Sequence, residues 1–224
     1  IRHSPPFGGV GGGFSVVILA AGDFPTHVIP LRVLRTAENL IVCDGALDNL
    51  LEYEIEPTAV VGDGDSLSDT LKQRYAHIYH PISEQEFNDL TKATLFARSH
   101  LKMDASTHMR PRFCYLGATG KREDHTMGNI SLMLYYHRQL GIAPVMITDY
   151  GYFVVASGTT RFDSFPGQQV SIFNATCKEL NSIGLKWDIY PFNELWQGTL
   201  NEALSNEFTI HADGDYLIYR THKI

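Results

Sequence analysis

Short apolar runs alternate with segments of helical spacing throughout residues 14–148. The runs are rich in β-branched residues and most stop at Gly, Asp or Pro, which is typical of buried strands. Strands that alternate with helices form a mostly parallel sheet covered by those helices, so the pattern predicts a Rossmann-like α/β domain. The predicted strands are Val16–Leu19, Asn39–Cys43, Ala59–Val61, Ile78–Tyr79, Phe113–Leu116 and Val145–Thr148.

The pattern changes after Thr148. Four further short runs are separated by turn residues, and no long helical segment lies between them, which indicates an antiparallel β-sandwich or barrel. We therefore expect an α/β domain over 14–148 and an all-β domain over 149–224, preceded by a flexible Gly- and Pro-rich tail over 1–13. The four runs are Tyr152–Ala156, Gln169–Phe173, Phe208–His211 and Tyr216–Tyr219.

Composition excludes several classes of protein. The 224 residues carry a formal net charge of −7, whereas a nucleic-acid surface usually needs a basic stripe. No apolar run approaches the roughly 18 residues of a membrane span, so we expect no membrane partner. The three cysteines do not form the even-numbered pattern of a disulfide framework and contain no C-x-x-C motif, which favours a reducing, cytoplasmic location.

Carboxylates follow two of the predicted strands directly. Asp63 and Asp65 come after Ala59–Val61, and Asp44 comes after Asn39–Cys43. The carboxyl ends of parallel strands share the edge where such sheets bind ligands, and carboxylate oxygens suit Mg²⁺. Asp-Gly is also common in turns, so the alternative remains that these aspartates only cap a helix or stabilise a turn.

The same tripeptide occurs a second time in the chain. Asp213-Gly214-Asp215 lies between two predicted strands, and there we predict a hairpin turn in which the glycine supplies a positive φ. The tripeptide by itself therefore carries no function, and any role of Asp63 and Asp65 depends on their neighbours.

Two helix starts carry charged residues. Leu90, Ala93, Ala97 and Leu101 recur at helical spacing, which makes Asp89 an N-cap or first-turn residue with Lys92 on the same face. The pair is either a surface ion pair or part of a carboxylate and phosphate site.

The second helix start follows a loop. That loop, Gly117–Lys121, follows a strand and is a weak match to a phosphate loop. Arg122 and Asp124 come next, and His125 and Asn129 share a helix face apart from the apolar stripe Met127, Ile130 and Leu134. A polar surface face is the alternative.

Taken together and in order, these stretches resemble thiamine pyrophosphokinases. Trp187, which alone could be a core residue or stack on a flat heterocycle, falls within the resemblance. The resemblance covers nearly the whole chain after the tail. The ordered set of stretches is specific to the family, although no single stretch is. The matching stretches are Asp44-Gly45, Gly62–Ser66, Asn88–Ala93, Gly117–His125, Gly184–Trp187 and Ser205–Phe208.

The resemblance implies a thiamine diphosphokinase, a transferase that moves the pyrophosphoryl group of ATP to the hydroxyethyl group of thiamine and releases AMP. It also implies an α/β nucleotide domain, a β-sandwich and a homodimer whose thiamine site lies at the subunit interface. A pyrophosphokinase or phosphotransferase acting on another alcohol, and a non-catalytic nucleotide or thiamine sensor, remain the alternatives.

The resemblance also implies roles for individual residues. Mg²⁺, bridging the phosphates, would be held by Asp44, Asp63, Asp65 and Asp89, and Ser66 would ligate metal or hold the turn. Lys92 and Arg122 would neutralise charge on the transferred group and on AMP. The remaining implied roles are nucleotide binding by Asp124, His125 and Asn129, stacking of Trp187 on thiamine, and lining of that site by Ser205 and Asn206.

Overall fold

The computed structural model of the chain describes residues 2–3, 13–100 and 109–223. Its described residues divide into two compact units, one within residues 13–149 and the other formed by Arg2–His3 with residues 150–223. Most of the predicted tail lies outside the described residues, as does Leu101; within the tail, Arg2–His3 (β1) form a two-residue strand. No helix in the described part is long and apolar enough to cross a membrane.

The unit of residues 13–149 is built on six parallel strands. The strands are β2 (Val16–Leu19), β3 (Leu40–Cys43), β4 (Ala59–Gly62), β5 (Tyr79–Pro81), β6 (Arg112–Leu116) and β7 (Ala143–Ile147). Their order is β7-β6-β2-β3-β4-β5, which confirms the predicted Rossmann-like α/β arrangement. The strands β2, β3 and β4 are buried along their whole length, as expected for apolar runs in a parallel sheet.

Five helices connect these strands. The glycine predicted to close the last helix, Gly141, has φ +66° and follows the C-cap residue Leu140, as expected of a helix-terminating glycine. A 3-10 turn over Asp44–Ala46 precedes the second helix. The helices are α1 (Val28–Arg35), α2 (Leu47–Glu52), α3 (Asp69–Arg74), α4 (Asp89–His100) and α5 (Glu123–Gln139).

The predicted core face of α5 is wrong. Met127 is 65% exposed, whereas the buried face consists of Asn129, Met133, Tyr136 and His137. The hydroxyl of Tyr136 lies 2.8 Å from the hydroxyl of Thr91 on α4, so hydrogen-bonding groups share the buried face. A pattern that counts only apolar residues therefore selected the wrong side of this helix.

The unit that contains residues 150–224 is antiparallel apart from β1. Its further strands are β8 (Gly151–Ser157), β9 (Thr160–Asp163), β10 (Gln169–Asn174), β11 (Leu180–Ile183), β12 (Asn201–Glu202), β13 (Glu207–Ala212) and β14 (Asp215–Thr221). Four strands pair in the order β12-β10-β14-β8, and three others in the order β9-β13-β11, with β1 parallel to β9. Apolar residues of both groups form one core, which agrees with the sandwich prediction.

Asp213 and Gly214 form the predicted hairpin turn between β13 and β14. The predicted reason was wrong, because Gly214 is not among the glycines with positive φ in the described residues. A Cβ on Gly214 would lie 2.7 Å from the Thr176 hydroxyl, so close packing, not backbone conformation, requires glycine. The Asp213 carboxylate accepts hydrogen bonds from the backbone N–H groups of Lys178 and Glu179.

Candidate functional site

Asp44 lies at the end of β3 and holds the turn that follows β4. Its Oδ1 accepts from the Gly45 N–H at 2.7 Å, and its Oδ2 accepts from the Gly64 N–H at 2.8 Å. Gly64 has φ +84°, and a Cβ on Gly62 would lie 2.3 Å from the Asp44 carboxylate carbon. Burial raises the pKa of Asp44, and the charges of Asp89 and Asp63 raise it further.

The turn itself presents two carboxylates with different surroundings. The Oδ1 of Asp63 accepts from the Asp65 N–H at 3.2 Å, and this hydrogen bond is the main cause that lowers the pKa of Asp63. Asp65 and Ser66 are exposed. The Asp65 carboxylate makes no hydrogen bond or ion pair with any described residue, since only its backbone N–H is bonded to Asp63. The carboxylate oxygens of Asp65 are therefore available to a ligand.

The start of α4 places a lysine between two of these acids. Asn88, not Asp89, caps the helix, because its Oδ1 accepts from the Thr91 N–H at 3.0 Å. Asp89 is the first helical residue, as the first-turn alternative predicted. Lys92 is 3% exposed, and its Nζ lies 3.3 Å from Asp89 Oδ1 and 3.8 Å from Asp63 Oδ2.

The loop between β6 and α5 has an unusual backbone. Gly117, Gly120 and Lys121 have φ values of +58°, +80° and +56°. Arg122 follows as the residue before α5 and makes a bidentate pair with Asp124, with Nε–Oδ1 at 3.1 Å and Nη2–Oδ2 at 2.6 Å. This pairing lowers the pKa of Asp124.

Two asparagines join α4 to α5 and to this loop. Asn88 donates through Nδ2 to Asn129 Oδ1 at 2.9 Å, and Asn129 donates through Nδ2 to the Ala118 carbonyl at 2.8 Å. Asn129 is buried, so its main contacts are with protein. Asn88 was not predicted to have a separate role; an Asn directly before a helical pattern is the signal that identifies such a cap.

These elements enclose one cavity of about 590 Å³ in the unit of residues 13–149. It brings together Asp63, Asp89, Lys92, Arg122, His125 and Asn129, whereas its lining leaves out Asp44, Asp65, Ser66 and Asp124. Within the described ranges, no three His, Cys, Asp or Glu side chains are arranged to hold a metal ion. Other residues that line the cavity are Ala21, Gly22, Gln85, Glu86, Asn88, Gly120 and Lys121.

Trp187 lies in the other unit and is 51% exposed. The Nζ of Lys186 lies 4.8 Å from the centre of its ring. Trp187 lines a small cavity of about 180 Å³ together with Tyr190 and Trp196. Neither of these aromatic residues was predicted to contribute.

Ser205 and Asn206 are exposed and precede β13. They do not line the small cavity beside Trp187. The Ser205 hydroxyl donates to the Glu207 carbonyl at 2.8 Å, and the Asn206 carbonyl accepts from the Ser164 N–H at 2.8 Å. Trp187 instead exchanges hydrogen bonds with the side chain of Asn201.

Comparison with known families identifies both parts of the chain. The family described as thiamin pyrophosphokinase, catalytic domain, matches residues 31–143, and the family described as thiamin pyrophosphokinase, substrate-binding domain, matches residues 151–219. No curated protein sequence matches the chain.

Solved structures with the same fold are similar to the chain over nearly its whole length. A thiamin pyrophosphokinase from Candida albicans has a TM-score of 0.77 at 18% identity and covers 99% of this chain and 93% of its own. A probable thiamine pyrophosphokinase from Staphylococcus saprophyticus has a TM-score of 0.66 at 24% identity, with 93% and 100% covered. The yeast thiamin pyrophosphokinase has a TM-score of 0.71 at 16% identity, with 92% and 86% covered. At these identities the likeness concerns the fold.

Proposed function

This chain belongs to the thiamin pyrophosphokinase family, and from that premise we propose that the 590 Å³ cavity is its ATP site. The chain is a thiamine diphosphokinase: it transfers the pyrophosphoryl group of ATP to thiamine, giving thiamine diphosphate and AMP. The observation that carries the site assignment is Lys92, a cation that is 3% exposed and lies in the cavity wall between Asp63 and Asp89. Phosphoryl-type transfer depends on such positioned charges.

The donor set fits Mg²⁺. Mg²⁺ is usually held by one or two carboxylates together with waters and substrate phosphates, so an arrangement with fewer than three converging ligands is sufficient. We propose that Asp63 and Asp89 ligate it from the cavity wall and that Asp65, which lies in the same turn as Asp63 but outside the cavity lining, adds its negative charge to the site. Burial is the main cause that raises the pKa of Asp44, and the charges of Asp89 and Asp63 raise it further; a bound cation would relieve this second, repulsive contribution.

Asp44 has a different part in this proposal. Both of its oxygens accept backbone N–H groups, and it lies beneath the turn, outside the cavity lining. We propose that Asp44 adds negative charge to the metal site without lining the cavity, and that it fixes the conformation of the Asp63–Asp65 turn. Ser66, exposed after the turn, would hold the turn or complete the ligand shell.

The cations would act on the phosphates. Mg²⁺ held by these carboxylates would supply positive charge that neutralises the phosphates. Lys92 would donate to the transferred group, and Arg122, oriented by Asp124, would meet charge on the departing AMP. Because the lowered pKa of Asp63 keeps its carboxylate ionised at neutral pH, Asp63 remains available to metal and to Lys92. His125 lines the cavity beside Arg122, and Asn129 would support the nucleotide through the Ala118 loop.

We place thiamine on the unit of residues 150–224. Trp187 supports this assignment, because its indole is half exposed and can stack on the flat rings of thiamine. Ser205 and Asn206 would contribute polar contacts, and the assembly would be a homodimer with this site at the subunit interface. The three cysteines are unpaired and buried, which supports a reducing, cytoplasmic location.

Asp65→Asn tests the metal assignment. We expect turnover with Mg-ATP and thiamine to fall by roughly a hundredfold or more, with an unchanged fold by circular dichroism. Asp48→Asn, an exposed carboxylate on α2, is the matched control and should keep full activity. Full activity in the Asp65 variant would remove that residue from the site.

A further inference from the structure

We propose that Lys121 binds the polyphosphate of the nucleotide. This inference rests on the proposed ATP site and adds a cation to it. Lys121 lines the cavity between Gly120 and Arg122, and its Nζ donates to the Ala21 carbonyl at 2.8 Å. An ammonium group has three N–H donors, so two remain for a ligand.

The charges around the cavity support this role. Lys92 lies within 4 Å of Asp63 and Asp89, and Arg122 makes a bidentate pair with Asp124. Among the lysines and arginines that line the cavity in the described ranges, Lys121 is the one that has no acidic partner. An anionic ligand therefore meets in Lys121 a cation whose charge is not already neutralised.

The backbone conformation of Lys121 bears on the choice of residue at this position. Its φ of +56° lies in the left-handed region, where a side chain with a Cβ costs free energy and glycine or asparagine is preferred. Stability alone would favour glycine here, as at Gly117 and Gly120. Glu54 and Leu200 adopt the same conformation outside this cavity, so the cavity position and the unpaired charge carry the proposal, and the φ value shows which substitutions the backbone tolerates.

Three substitutions separate charge from backbone conformation. Lys121→Gly and Lys121→Asn remove the charge and tolerate the positive φ, whereas Lys121→Arg keeps the charge. Titration calorimetry with ATP in the presence of Mg²⁺ should give a Kd that is roughly tenfold higher for the Gly and Asn variants and within about threefold of the original for Arg. Lys178→Asn controls for the change in net charge, because Lys178 is exposed and lies outside this cavity.

Adenosine, which has no phosphate, is the second probe. Its affinity should be the same in all variants, and the melting temperature of Lys121→Gly should equal or exceed that of the original protein. An ATP affinity within twofold of the original in the Gly and Asn variants would overturn the role of Lys121, as would an equal loss of adenosine binding. If the unsubstituted protein binds no ATP, the proposed ATP site fails as well.

Discussion

Replacing Lys92 with methionine removes the cation between Asp63 and Asp89 and keeps a side chain of similar length. At an effective dielectric constant of about 20, the two ion pairs contribute about 5 and 4 kcal/mol of attraction at 3.3 and 3.8 Å. Desolvation of the lysine, which is 3% exposed, opposes this attraction by several kcal/mol. The net contribution of the charge to stability is therefore small.

The two acids remain hydrated after the substitution. The side chains of Asp63 and Asp89 are 27% and 47% exposed, so neither becomes an uncompensated buried charge. We expect the free energy of unfolding of Lys92→Met to change by no more than about 1 kcal/mol, which corresponds to roughly 3 °C in melting temperature for a chain of this size.

Activity should respond very differently. A positioned cation that meets developing charge on phosphate is worth about a hundredfold to a thousandfold in kcat, so Lys92→Met should lose that factor in AMP release. Lys178→Met serves as the control for removal of a lysine charge. A kcat within threefold of the original would refute the catalytic role, and a melting temperature lower by more than about 10 °C would show that Lys92 is structural.

Three further predictions concern the turn, the metal and thiamine. Gly62→Ala should push the Asp44 carboxylate off its two N–H donors, lower the free energy of unfolding by about 3 kcal/mol and reduce activity; unchanged urea denaturation would contradict this. Because the pKa of Asp44 is raised above 3.8, its contribution to stability declines as pH rises through the raised value. Mg²⁺ should therefore raise Tm more at pH 7 than at about pH 4, near the ordinary pKa of an aspartate, and an equal rise at both would count against a shared site. Trp187→Ala should raise the KM for thiamine about tenfold and leave the KM for ATP unchanged. A raised KM for ATP with an unchanged KM for thiamine would show that thiamine does not bind at Trp187.

Most strands are predictable from the sequence because their signal is strong and local. Val16–Leu19 and the runs around Ala59 and Phe113 are apolar and bounded by breakers, and the structure places strands at each. The strands Thr160–Asp163 and Leu180–Ile183 were missed, because each is short and mixes polar with apolar residues. Their pairing with β13 depends on residues distant in sequence.

The site was only partly readable from sequence, for physical reasons. Spacing indicated that Asp63, Asp89 and Lys92 could meet, because strand ends and a helix start converge at one sheet edge. It could not show that Asp44 is occupied by two backbone N–H groups, that Asn129 lies on a buried face, or that Lys121 adopts a positive φ. Those properties depend on how the loops pack against each other.

The reaction products distinguish pyrophosphoryl transfer to thiamine from the alternative activities. The chain incubated with ATP, Mg²⁺ and thiamine should release AMP and form thiamine diphosphate in equal amounts, with little AMP when thiamine is omitted. ADP with thiamine monophosphate as products, or AMP release that is independent of thiamine, would show that the chain does not carry out this transfer.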